Sequence, residues 1–190
     1  MKYVLALILI CIATASLIYL RQDPPENNSP VTGLPWQIDI LAGGDTRVFG
    51  ITLGRTSLGE AVEQLGDDMD LAIIAAPDND GTLEAYFSHF VSGPITGKLI
   101  LAMDISPSAL STMRMRAFQD GGTRRYHLHP DDLPAAYSAA VMAINFIPSY
   151  NLDADIVQAR FGTPAEIIQV NEQQQHLLYP DKGLDLILST

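Results

Sequence analysis

The chain has 190 residues, 47% of them hydrophobic, and carries 11 Lys and Arg against 22 Asp and Glu, a formal net charge of −11. So acidic a surface repels nucleic acid and anionic lipid headgroups, so neither is an expected partner; it suits a solubility surface, a basic protein partner or weakly held cations. The single cysteine, Cys11, excludes a disulfide within the chain.

Tyr3 to Leu20 read YVLALILICIATASLIYL without a charge and are followed at once by Arg21. At about 1.5 Å per residue this run spans roughly 27 Å as a helix, near the thickness of a hydrocarbon core. It predicts a transmembrane anchor over residues 1–20, with the membrane as a partner through residues 3–20. Lys2 and the N-terminal amine lie on one side, while Asp23 and Glu26 follow Arg21. The positive-inside bias then places the C-terminal part in the periplasm, held by a single pass through the inner (cytoplasmic) membrane. Two alternatives stand beside the anchor. Cleavage at Ala13-Thr14-Ala15 would release the chain to the periplasm. Lipid attachment at Cys11 would require small residues where Ile8-Leu9-Ile10 stand. Residues 21–35, RQDPPENNSPVTGLP, hold four prolines and predict a semi-extended linker.

The body, 36–190, suits one α+β domain. Val48 to Leu53 alternate like a strand. Thr56 or Ser57 caps a helix, with Glu60 placed for a capping box, Leu58, Ala61, Val62 and Leu65 as its apolar stripe and Gly66 as its stop. Strands follow at 70–76, 82–90 and 98–104, the first two joined by a turn at 77–81. Ser106-Pro107 opens a helix that runs to Gly121-Gly122, and a strand is expected at 123–128. A strand at 144–148, a helix capped by Asn151 or Asp153 and stopped by Gly162, and strands at 165–171, 175–180 and 184–189 complete the chain.

Strand, helix and meander thus occur twice, as pseudo-repeats at about 46–104 and 141–190. The expected fold is two tandem helix-plus-antiparallel-sheet units with the helices on one face. The stretch Ile51-Thr52-Leu53-Gly54-Arg55-Thr56-Ser57, with Gly59-Glu60-Ala61-Val62 and Leu65-Gly66, resembles the opening motif of the SmpA/OmlA lipoproteins, a Gly-small-Thr turn followed by an amphipathic helix and a Leu-Gly stop. Arg160-Phe161-Gly162-Thr163-Pro164 resembles a second copy, and His176 to Leu184 resembles that family's aromatic strand, turn and final strand. Two such units in tandem also resemble the β-lactamase-inhibitor protein. The resemblance implies a bacterial envelope protein that binds other proteins.

Candidate chemistry is sparse. Arg114, Arg116, Arg124 and Arg125 gather four of the body's positive charges and would dock a carboxylate-rich partner or a phosphate group; Arg114 would equally snorkel beside the Met113–Ala117 stripe. His127 and His129 share one face of a strand, with Asp131 and Asp132 following, a start toward zinc ligation that a solvent-facing edge explains as well. Asp78-Asn79-Asp80-Gly81 hints at a calcium loop, but Ala76 and Phe87 stand where carboxylates belong, so it reads as a turn. Ser88-His89 lack a nucleophile elbow. Tyr86, Phe87, Phe90, Tyr150 and Tyr179 are interface anchors if exposed and core if not. No catalytic, cofactor or metal residues are assigned. The sequence reading is therefore a membrane-anchored envelope protein, a non-enzymatic protein-binding module with Arg114, Arg116, Arg124 and Arg125 as partner-binding residues. The alternative is a metal-binding or hydrolytic periplasmic enzyme built around His127 and His129.

Overall fold

A computed structural model describes residues 32–76, 79–119 and 124–189. The longest ladder joins β5 (Thr82–Ser92) to β6 (Ile95–Met103), antiparallel across the two-residue turn Gly93-Pro94. Side chains on a strand alternate between faces. Leu83, Ala85 and Phe87 therefore share one face with Leu99, Leu101 and Met103, and all six are buried. On the outer side of β5, β4 (Asp70–Ile74) adds Ile73 to this core face, followed by β8 (Arg125–His127) and the two-residue β7 (Phe118–Gln119). Beside β6 lies β9 (Val141–Pro148), giving one six-stranded antiparallel sheet in the order β7-β8-β4-β5-β6-β9.

Three helices share that core. Helix α1 (Leu58–Leu65) begins at Ser57, whose hydroxyl accepts from the Glu60 amide while the Glu60 carboxylate accepts from the Ser57 amide at 2.8 Å, the expected capping box. It buries Leu58 and Ala61. Helix α2 (Pro107–Arg116) buries Leu110 and Met113, and α3 (Leu133–Ser138) buries Ala136. Helix α2 stops at Arg116, short of Gly121, because Phe118 and Gln119 pair with β8; a sheet ladder overrides helix propensity there.

A small sheet packs against this core through Ile51. It comprises β1 (Asp39–Ile40), β2 (Thr46–Val48) and β3 (Ile51–Thr52). Phe49 and Gly50 connect β2 to β3 in two residues, with φ of 53° and 80°. Positive φ at both positions is the type I′ hairpin geometry, in which Asn-Gly is favoured and Phe is strained. Packing holds Phe49 there: its ring meets Phe90 at 5.0 Å and Phe146 at 5.6 Å, both edge to face. A bulge between Phe87 and Phe90 turns the latter back to the core face. At Gly97 a Cβ would lie 2.6 Å from the Phe146 ring and 2.4 Å from the Ile147 carbonyl oxygen, so only glycine admits that ring.

The second core forms between helix α4 (Ala154–Phe161) and a three-stranded sheet of β10 (Glu166–Asn171), β11 (Gln174–Tyr179) and β12 (Leu184–Ser189). Val157, Phe161, Leu177, Tyr179 and Leu188 are buried in it, with Trp36 and Ile38 packed alongside. Arg160 covers the Trp36 ring at 4.8 Å, and the Tyr179 hydroxyl donates to the Gly162 carbonyl at 3.0 Å.

Three expectations are corrected. The described residues are mostly β, 43% strand against 25% helix, in three antiparallel sheets with four helices, in place of an α+β pair of tandem helix-plus-sheet units with helices on one face. The physical reason is edge pairing. The strand expected to open the second unit, β9, bonds to β6, while β8 bonds to β4, so the first meander grows to six strands and β10–β12 remain apart. The transmembrane helix and signal anchor, and the single-pass inner-membrane placement built on them, are also withdrawn. No helix among the described residues is long and apolar enough to cross a membrane. The longest, α2, has 10 residues, about 15 Å against a core of about 30 Å. Residues 3–20, which carried that expectation, lie outside the described residues, as do 21–31 of the linker.

If packing rather than turn propensity holds the Phe49 hairpin, Phe49→Asn loses stability although Asn suits the turn. The expected loss is about 2 kcal/mol in urea denaturation. A raised midpoint would show that the rings do not hold the turn.

Candidate functional site: the open face of the six-stranded sheet

Helices α1, α2 and α3 share a core with one face of the large sheet; the opposite face carries a row that crosses all six strands. Cross-strand partners share a face. The register sets Phe118 against His127, His127 against Ala72, Ala72 against Glu84, Glu84 against Ala102 and Ala102 against Ala143. A neighbouring row runs Asp70, Tyr86, Ile100 and Asn145. On the other side lie Arg125, Ile74 and Thr82, while beyond the Ile100 row Lys98 faces Ile147.

Glu84 sits at the centre. Its two cross-strand neighbours are alanines, Ala72, which is buried, and Ala102, which is half-buried. Glu84 is itself half-buried and has no hydrogen-bond or ion-pair partner among the described residues. Burial pushes its carboxyl above the usual range, because the charged form loses water without gaining a counter-charge. Two large apolar groups are exposed further off, Phe118 three strands away along the same row at 62% and Ile147 on β9 at 46%. The Phe118 ring stacks against His129 at 6.3 Å, which steadies it.

The four arginines are divided. Arg114 donates to the Asn79 carbonyl and to the Tyr126 hydroxyl, with its guanidinium 4.9 Å from the centre of that ring. Arg116 pairs with Asp132, which is buried and whose Oδ2 has no hydrogen-bond partner among the described residues. Arg125 pairs with Asp70 and borders the open face. Arg124 is exposed.

His127 lies on the open face, whereas His129 follows the end of β8 and accepts from the Asp131 amide. No group of three or more His, Cys, Asp or Glu fit to hold a metal occurs among the described residues. Ser88 and His89 are exposed on the bulge of β5. Of the aromatic candidates, Phe87, Phe90 and Tyr179 are core, Tyr86 is half-buried on the open face, and Tyr150 is exposed. Two concavities, of about 490 and 430 Å³, lie elsewhere, the first beside Asp45, Arg47 and Arg55, the second beside Phe49, His89 and Phe90. In the first, Arg55 is held by Asp45 and Arg47 by Thr52.

The sequence reading missed Glu84, Ala72 and Ala102. Their signal was the alternation of 82–87, which put Glu84 opposite Leu83 and Ala85, but only the register brings the alanines beside it. Comparison with protein families, curated proteins and solved structures finds no match to this chain. The resemblance to the SmpA/OmlA lipoproteins therefore rests on the quoted turn, helix and strand residues alone.

Removing the cation beside buried Asp132 by Arg116→Ala costs about 1–2 kcal/mol, reduced because the guanidinium is half exposed, while Arg124→Ala stays within about 0.5 kcal/mol. Equal losses in urea melts would show that the Asp132 pair is not structural. Glu84 has the opposite sign. With its folded pKa raised, its contribution to stability is full below the unfolded value and is lost as pH rises through the folded one. Glu84→Gln is thus more stable than the parent at pH 7, and the two converge below about pH 4. Identical midpoints at pH 7 would show that the carboxylate meets no penalty.

Proposed function

We propose that this chain is a non-enzymatic protein-binding module that docks a basic protein on the open face of its six-stranded sheet. The observation that carries this reading is Glu84, a half-buried carboxylate without a partner among the described residues, set between two alanines in the middle of a row that ends on exposed Phe118. A Lys or Arg of the partner placed over Glu84 relieves its desolvation, and apolar contact with Tyr86, Ile100 and Phe118 adds binding energy around it. The net charge of −11 steers such a partner toward the chain and away from other acidic proteins. Arg125, already paired with Asp70, sets an edge to the surface.

Placing a photo-cross-linking residue at Ala143, which is exposed on this face, tests the proposal. The expected result in extracts of the source organism is an adduct with one basic protein. It is lost in Glu84→Arg and in Phe118→Asp, and weakened by salt. No adduct, or one that survives both substitutions, would sink the reading.

A further inference from the structure

The concavity of about 490 Å³ falls within the range of about 300–1,000 Å³ usual for small-molecule sites. It is lined from one side by Arg47 and Thr52, which the β2–β3 register sets opposite each other on one face. From the other side it is lined by α1, where Glu60 and Glu63 stand one turn apart. Ile51 of β3 and Leu58 and Ala61 of α1 are fully buried in the same core, so the two sides are fixed relative to each other.

The charges around it are only partly spent. Arg55 and Asp45 are 2.5 Å apart and cancel. Arg47 gives only its Nε, to the Thr52 hydroxyl at 3.2 Å. Thr52 is itself buried, and its amide donates to the Thr56 hydroxyl at 3.0 Å, so the group that orients the guanidinium is held in turn. The two terminal nitrogens of Arg47 have no partner among the described residues. Glu60 accepts through one oxygen from the Ser57 amide and hydroxyl, at 2.8 and 2.9 Å, and those bonds hold its carboxyl below the usual range. Its other oxygen and the Glu63 carboxylate have no partner among the described residues.

We infer that this concavity binds a small zwitterion, an amino acid or a short peptide, with its carboxylate on the terminal nitrogens of Arg47 and its ammonium on Glu60 and Glu63. The mixture of signs selects this class. An anion alone gains the guanidinium fork but meets two carboxylates, and the net charge of −11 opposes it further. An amine alone gains the carboxylates but meets Arg47. A ligand that carries both charges satisfies each of these groups at once.

The test is a nitrogen-15 NMR titration of the full-length chain, read at the Arg47 Nε–H and the Thr52 amide. The probes are the twenty amino acids, dialanine and trialanine, each to 10 mM, with propionate, phosphate and ethylamine as single-charge controls. Saturable shifts are expected with at least one zwitterion and with none of the controls; whether an amino acid or a peptide binds most tightly identifies the source. Arg47→Ala is expected to weaken that binding about tenfold or more. Glu63→Gln carries the sharper expectation: it weakens the zwitterion and strengthens propionate, a reversal that a merely structural role would not produce. Both residues are exposed, so neither change should move the urea midpoint. Silence with every zwitterion, a control that binds as tightly, or shifts indifferent to both substitutions would each overturn the inference. The readout does not involve the sheet face that holds Glu84.

Discussion

Alternation along β5 and β6 is the constraint from which the rest follows. One face of this ladder carries Leu83, Ala85, Phe87, Leu99, Leu101 and Met103, and three helices share its core. A shift of one residue would move all of those side chains to solvent, so burial on one side fixes the register on both. The opposite face is therefore not free to vary. Glu84, Tyr86, Ile100 and Ala102 stand where they do because their neighbours in sequence are core.

The aromatic trio shows how a local misfit is held by tertiary contacts. Phe49 occupies a left-handed turn position that suits Asn, yet its ring joins Phe90 and Phe146. Phe90 reaches them because of a bulge, and Phe146 because Gly97 carries no side chain. Three departures from regular strand geometry thus converge on one cluster, which ties the small hairpin to the large sheet. Sequence rules name each departure separately, but only their meeting explains why they are retained together.

Local chemistry made many elements legible in the sequence. Ser57 with Glu60 announced α1, Ser106-Pro107 announced α2, and Asp153 announced α4. What could not be read was pairing between distant strands. Val141 to Pro148 looked like the start of a second unit, because nothing within it says that Phe146 will lie against Leu99. The 3-10 turn at Pro130–Asp132 and helix α3 went unread although Pro130 and Pro134 marked their starts. The four arginines looked like one patch because they are close in sequence. Alternation separates Arg125, on the open face, from Tyr126, on the core side and covered by Arg114. The site at Glu84 was hidden for the same reason: the residues that face it, Ala72 and Ala102, are distant in sequence.

A half-buried carboxylate with no partner among the described residues is a stability cost, and such costs are retained where a surface has a use. The central claim is that Glu84, flanked across the strands by Ala72 and Ala102, has no counter-charge among the described residues. The direct measurement is a pH titration of the Glu84 side-chain carboxyl by carbon-13 NMR in the unbound protein. The account predicts a midpoint above the ordinary glutamate value of about 4.3. A midpoint at or below that value would mean that the carboxylate is solvated or already paired, and would contradict the account.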